Sequence, residues 1–485
     1  MPDIDPTRPS YEVLAALVVS LREELVQALT LVTQVQTELA AARERIAELE
    51  ARLGSNSQNS SKPPSSDGLA KPAPKTRSLR GRKAPKPLGG QPGHDGRTLS
   101  QVAHPQHTEI HEPTACGCGR SLGGRPVTSV VRRQSFDLPE IAIEVTEHQM
   151  VERECSCGVR TRAQAPVGID APVQYGPRVT AIVMYLYGGQ FLSKRRSAQA
   201  LAELFGTPIS EATVATMVAR GADVLGVFLA EIRRRLREAE VVGFDETGFR
   251  VAGQLHWVHC ARTNKYTLVI CHRKRGVKGM AALGVIDGFR GVAVHDAWAP
   301  YDTFVVPDHQ LCCSHVQREL QAVTDAVDGD GWCWAEQAHQ ALVDIEVLVA
   351  DTIVAGRDTL DEDRLATLKS RLRSAALIGM NETSARTSKL MKKHNALARR
   401  LLERQDDYLR FVVDWRVPPD NNGSERDIRM IKLRQKVSGC MRTLTGAKQF
   451  CAIRSYLSTA AKHGVNFFEA LVQLAEGQAW MPDAA

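Results

Sequence analysis

The sequence predicts an α/β core that carries a large helical insertion. A coiled-coil helix, a small cysteine-bearing β unit and a helical domain precede it. Three observations support this expectation. Apolar residues recur at alternating intervals of four and three from Leu14 to Leu53. Four cysteines fall as two close pairs, Cys116/Cys118 and Cys155/Cys157. From residue 241, short strand-like segments follow one another, and two of them end in acids.

The chain has 485 residues, 43% hydrophobic and 24% charged, an ordinary globular composition. That length is too great for one core, so about two to four domains are expected. No apolar run reaches the ~18 residues that span a bilayer, so no membrane partner is expected. The start, MPDIDPTRPS, has no basic stretch leading into an apolar one, so it does not read as a secretory signal. A cytoplasmic, nucleoid-associated protein is the expectation. There, 11 cysteines suit metal binding or burial better than disulfides.

Residues 11–53 form the heptad segment, with Val18, Leu21, Leu25, Val32, Val35, Leu39, Ile46 and Leu49 among its apolar positions. A 3.5-residue repeat keeps one seam on a partner, so a coiled coil and self-association, as a dimer, are expected. Residues 54–100 are polar and rich in Pro and Gly, a linker without a core. Within it, residues 71–97 hold Lys71, Lys75, Arg77, Arg80, Arg82, Lys83, Lys86 and Arg97 against Asp95, which matches the whole chain's net charge of +7. A basic tether of this kind suits contact with nucleic-acid phosphates.

Residues 101–165 place SVVRRQSFDL and IAIEVTEHQMVER, read as strands, between the two cysteine pairs. Two thiolate pairs closing a small β unit suit a tetrahedral structural Zn2+ held by Cys116, Cys118, Cys155 and Cys157. His104, His107, His111 and His148 are substitute ligands. Residues 175–240 read as helices. RRSAQALAELFG, the turn TPIS with Ser210 as N-cap, and a second long helix have the outline of a DNA-binding helix-turn-helix.

Residues 241–440 carry the core. Strands are read at 241–250, 255–261 and 265–271, a helix at 276–286, and strands at 291–304 and 309–315. Three meandering strands, a crossover helix and a further buried strand outline an RNase H-like fold. Residues 316–410 read as a helical insertion, and 441–485 as a closing helical segment.

In such a fold the first and fourth strands are neighbours, which would bring Asp245 and Asp296 together. A helix opening after PDNNGS, with Asn422 or Ser424 as its cap, supplies Glu425. Arg429 and Lys432 lie on the same helical face, beside Arg318 from an earlier helix, as phosphate contacts. Three carboxylates suit a pair of hard cations, Mg2+ or Mn2+, with Asp245 bridging them. Glu246 should face away from Asp245; Asp302 and Asp308 compete with Asp296, and Asp420 and Asp427 with Glu425. His315 reads as structural or phosphate-contacting, and Cys312 and Cys313 as core thiols on a strand.

The stretches LGSNSQNSSKPPSSD, GGQPGHDG, RRQSFDLPEIAIEVTEH, VVGFDETGFRV, VHDAWAPY, CCSHVQREL, PDNNGSERDIRMIKLRQKVSG and SYLSTAAKHGVNFFEAL occur in this order. In these the chain resembles the insertion-sequence-66 family of transposases over nearly its full length. The resemblance implies a leucine-zipper-like segment, a zinc-finger-like unit, a catalytic core with Asp245, Asp296 and Glu425 as its DDE triad, and a helical tail. It implies DNA strand cleavage and transfer, acting on terminal inverted repeats and target DNA, often beside accessory proteins of the same element. The Cys-x-Cys spacing departs from the family's usual Cys-x2-Cys. The alternatives are an RNase H-fold nuclease or resolvase, and a catalytically silent DNA-binding derivative.

Overall fold

The computed structural model describes residues 10–56, 59–60, 99–139, 141–326, 332–384 and 388–483. The basic tether, with Lys71, Lys75, Arg77, Arg80, Arg82, Lys83 and Lys86, lies outside them. The chain is mixed α/β, with fifteen α-helices and one five-stranded mixed sheet among the described residues. It divides into two units: residues 1–75, 165–198 and 210–485, and residues 76–164 and 199–209. No single helix among the described residues is long and apolar enough to cross a membrane.

The first helix, α1 (Tyr11–Leu53), covers the heptad segment without a break, and Ser10 caps it by accepting from the Val13 N–H. At 1.5 Å per residue it is about 65 Å long. It buries no residue, and its seam, including Leu21, Leu25, Val32 and Leu39, is exposed.

In the second unit the strand reading is corrected. Among the described residues, only β1 (Glu152–Glu154) and β2 (Arg160–Arg162) form a ladder, with an isolated bridge from Ala115 to Ser121. The segments at 129–138 and 141–150 join no ladder, and Val130, Val131, Ile141 and Ile143 are exposed. Alternating apolar residues specify a strand only where another layer covers one face, and among the described residues none does.

In the first unit, α2 (Pro177–Met184) runs into a π-turn at Tyr185–Gly189; α3 (Lys194–Phe205), which passes into the second unit at residue 199, and then α4 (Glu211–Val224) follow. Ser210 caps α4, as expected, accepting from Thr213 N at 3.0 Å. The long helix read after it is two: α5 (Gly226–Glu238) starts after a break at Leu225, bent by 47°.

The sheet follows. Strands β3 (Val241–Val251), β4 (Gln254–Arg262) and β5 (Thr267–His272) form an antiparallel meander. The β3–β4 turn is Ala252-Gly253, both at positive φ (48° and 76°), as a tight two-residue hairpin demands. After α6 (Val277–Leu283), β6 (Val292–His295) and β7 (Asp308–Leu311) add parallel to β3, giving the order β5-β4-β3-β6-β7. The strand expected at 291–304 thus ends at His295, and a 3-10 turn at Ala299–Thr303 follows.

Helix α7 (Cys313–Asp325) begins earlier than expected, so Cys313 and His315 are helical, not on a strand. The Cys313 N–H is taken by the Pro419 carbonyl at 2.9 Å, which fixes that first turn. Cys312 and Cys313 are both buried.

Helices α8 (Trp334–Val354), α9 (Glu362–Ser384), α10 (Lys389–Glu403), α11 (Gln405–Tyr408) and α12 (Arg410–Val413) form the insertion, whose apolar core around Leu342, Ile345, Leu372 and Leu401 runs on into Val294, Leu311 and Val316 of β6, β7 and α7. Helix α13 (Asn422–Ser438) returns to pack on β3 and β4, and α14 (Leu444–Lys462) on β5, before α15 (Phe467–Ala475). The free edge of β5 is covered by α14, whose Ser455 and Thr459 side chains accept from Val269 N (2.9 Å) and Thr267 N (3.1 Å). An open strand edge is thereby satisfied within the chain.

The insertion core leaves no room at Gly379, where a Cβ would lie 2.3 Å from the Trp334 ring. Gly379→Ala should therefore cost about 1–3 kcal/mol through overpacking, read as a lower midpoint in urea unfolding.

Candidate active site

The site is assembled from the middle of β3, the end of β6 and the first turn of α13. Strand β3 pairs with β6 as far as Gly243–Val294. Two residues beyond that pair come Asp245, still on β3, and Asp296, just past the end of β6, and the Asp296 charge acts on Asp245. Helix α13 approaches so closely that a Cβ on Gly243 would lie 2.4 Å from the Ser424 Oγ. Glycine is required there because the helix backbone must close on the strand. Asn421, buried at the start of α13, donates from Nδ2 to the Phe244 carbonyl at 2.6 Å. The expected caps, Asn422 and Ser424, are instead within the helix, and Glu425 lies in its first turn.

Burial drives the Asp245 carboxyl well above the ordinary range, and the charges of Glu246, Asp296 and Glu425 push the same way. Burial also raises Asp296, whose Oδ1 accepts from Trp298 N at 3.2 Å. Acids 51 and 180 residues from Asp245 in sequence therefore act on it through space. Among the described residues, no three His, Cys, Asp or Glu side chains stand close enough to hold an ion as arranged. Glu425 turns toward Arg318, whose guanidinium lies 3.2 Å away. His315 stands 3.6 Å from the same carboxylate, but burial lowers its imidazole to about 3, so it is neutral near pH 7 and forms no ion pair.

The competing acids are occupied elsewhere. Asp302 pairs with Arg404 at 2.7 Å and Asp308 with Arg410 at 3.3 Å. Asp420 accepts from Asn422 N at 2.9 Å. Asp427 is the anchor of a half-buried cationic cluster: Lys462 at 2.6 Å, Arg262 at 3.4 Å and the Thr267 hydroxyl at 3.0 Å. This cluster ties α13 to β4, β5 and α14.

Glu246 points away from Asp245, as the two-residue strand period requires. It is buried, and burial followed by the Asp296 charge raises it to about 7. It accepts from the Tyr301 hydroxyl at 2.8 Å and from Arg275 at 2.8 and 3.0 Å. The Arg275 guanidinium also lies 3.7 Å from the centre of the Trp298 ring. Glu246, Arg275 and Tyr301 thus brace the turn after Asp296. Sequence reading missed Arg275 and Tyr301, because the only available signal was the odd residue type, an acid, at an inward-facing position.

Of the remaining expected contacts, Arg429 is exposed on the next turn of α13, while the Lys432 ammonium donates to the Gly248 carbonyl at 2.7 Å. Cys116, Cys118, Cys155 and Cys157 are exposed. Each pair sits in the same kind of turn: Gly119 N donates to Cys116 O and Gly158 N to Cys155 O, both at 2.8 Å, with both glycines at positive φ. Hydrogen bonds from Cys118 and Cys157 hold the Cys116 and Cys155 thiols below their ordinary range.

The Asp427 cluster yields a double-mutant test. Asp427→Asn should cost about 3–5 kcal/mol in denaturant unfolding, because it strands Lys462 and Arg262 without their counter-charge. Adding Lys462→Met should recover part of that loss; a strictly additive pair would show that the cluster does not hold the helix.

Comparisons with known proteins bear on the whole core. Residues 5–100 match the model of a family of unknown function. No curated protein matches the chain. Residues 172–449, which include the sheet, the insertion and α13, match the model described as Transposase IS66 family. With more than half of its length in that match, the chain belongs to the IS66 family of transposases.

Proposed function

We propose that the chain is a DDE-type transposase that cleaves DNA strands and joins them to a target, with Asp245, Asp296 and Glu425 as its catalytic acids. The observation that carries this reading is the crowding of Asp245 by Asp296 and Glu425 on adjoining elements. The sheet order, three antiparallel strands followed by two parallel ones, supports an RNase H-like core.

The donor set fits divalent metal. All three groups are carboxylates, and the raised Asp245 marks a negative charge that the protein leaves uncompensated. Asp245, Asp296 and Glu425 would be the residues that hold Mg2+ or Mn2+. Such ions, when bound, activate the attacking oxygen and stabilise the leaving one. Arg318 neutralises Glu425 here, and its fork-like guanidinium suits the reacting phosphate once Glu425 turns inward. Glu246, through Arg275 and Tyr301, holds the Asp296 turn in place.

DNA, as terminal inverted repeats and target, is the proposed substrate. The exposed α1 seam is proposed to pair with a second copy. The matching cysteine turns are proposed to close on a structural Zn2+, for which paired thiolates are suitable donors.

The test is strand transfer of labelled element ends with Mg2+. Joined products are expected; nicks alone would indicate a nuclease, and binding alone a silent derivative. Asp245→Asn, Asp296→Asn and Glu425→Gln should each lower cleavage by about a thousandfold. In EDTA, Asp245→Asn should also raise the melting temperature, since it removes a buried carboxylate crowded by like charges. A lower melting temperature would count against that crowding.

A further inference from the structure

The outer face of α13 continues past the acids as a run of cations. Arg429 and Lys436 are exposed, seven positions apart and thus on one side of the helix. The end of α13 is tied to the segment before α3, where the Ser438 hydroxyl donates to the Phe191 carbonyl at 2.7 Å. Three residues beyond Phe191, the sequence Lys194-Arg195-Arg196 makes the first turn of α3, which contains no acid. A helix N-terminus is itself positive, so each of these cations works against the helix dipole.

Arg442 comes from the other side, immediately before α14, whose first turn also lacks an acid. It lies near enough to Lys194 that burial and the Arg442 charge together hold the lysine below its ordinary range. Between these elements sits Arg434, 4% exposed, over the rings of Tyr187 and Phe450. Its Nε and one terminal nitrogen have no hydrogen-bond partner among the described residues. Burying a cation without a counter-charge is costly, and it adds a fixed positive field beneath the surface. Among the described residues, none of Lys194, Arg195, Arg196, Arg429, Lys436 and Arg442 forms an ion pair with an acid, whereas Arg404, Arg410 and Arg416 elsewhere all do.

We propose that this face, from Arg429 and Lys436 on α13 to Arg442 and the Lys194-Arg195-Arg196 turn, is a track for the backbone of duplex DNA flanking the reacting bond. The proposal rests on the DNA-cleaving reading above and deepens it by naming the surface that holds the substrate. From Glu425 to Lys436 the helix rises about 16 Å, or about five phosphate spacings along one strand. The start of α3 and Arg442 then engage phosphates further from the reacting one. Backbone contacts of this kind fix position and register without reading sequence.

The test is binding of a fluorescently labelled DNA duplex to the full chain in EDTA, followed by anisotropy over a salt series. The triple variant Lys194→Gln/Arg195→Gln/Arg442→Gln should bind about tenfold or more weakly. Its slope of log affinity against log salt should flatten by about 2–3, since each lost phosphate contact contributes about 0.9. A control, Arg364→Gln/Arg373→Gln/Lys392→Gln, removes equal charge from exposed positions of the helical insertion and should leave the slope unchanged. An unchanged slope in the folded triple variant, or equal flattening in the control, overturns the proposal. Because EDTA removes metal chemistry, this binding is read without cleavage or joining. A failed track therefore shows in binding, and a failed triad in strand transfer.

Discussion

The hydrogen bond from the Asn421 side chain to the Phe244 carbonyl is the tie on which the site depends. The parallel ladder between β3 and β6 stops at Gly243–Val294 because β6 is short. The next carbonyl on β3, that of Phe244, takes its hydrogen bond from Asn421. A buried carbonyl needs a donor, and one from the start of α13 fixes where that helix meets the sheet. Gly243 permits the approach, and the Cys312 sulfur accepts from the Asn421 N–H at 3.2 Å, which ties the start of α7 to the same point. Asp245, Glu425 and Arg318 therefore take their relative positions from one packed junction.

Charge is divided unevenly around that junction. On the Asp245 side, carboxylates crowd one another, and burial with that crowding pushes the strand acid well above its usual range. On the side of the sheet covered by α14, Asp427 is fully engaged by Lys462, Arg262 and Thr267. Two acids two residues apart on α13 thus meet opposite fates. Asp427 is compensated by the protein and serves to hold the helix down. Glu425 is met by Arg318, and its charge still acts on Asp245. A group left to be satisfied from outside the chain is what a binding site requires.

The helical insertion contributes to this arrangement, for its apolar core is continuous with Val294, Leu311 and Val316 of the sheet and α7. Arg400 on α10 pairs with Glu319 on α7, two turns of whose helix carry His315 and Arg318. Gln310 on β7 donates to the Tyr408 carbonyl at 3.1 Å and accepts from Phe411 N at 3.1 Å. The insertion is thereby fastened to the last strand of the sheet and to the helix behind Glu425.

Periodicity and punctuation were enough to reveal α1, the meander of β3 to β5, α6, the insertion helices and the Ser210 cap, because those signals are local: a repeat of 3.5 or 2 residues, or one capping oxygen, is written in neighbouring positions. The three proposed acids also stood out in the sequence as charges beside periodic segments, though Asp245 lies within β3 and not at its end. What the residues could not reveal was which acids would be paired. Asp427 and Glu425 are equally acidic in a string of letters, and only the placement of Lys462, Arg262 and Arg318 separates them. The same holds for the strands expected between the cysteine pairs, whose alternation was real but found no layer to bury against. Pairing, burial and electrostatic crowding depend on groups far apart in sequence, so they were decided only when the chain closed on itself.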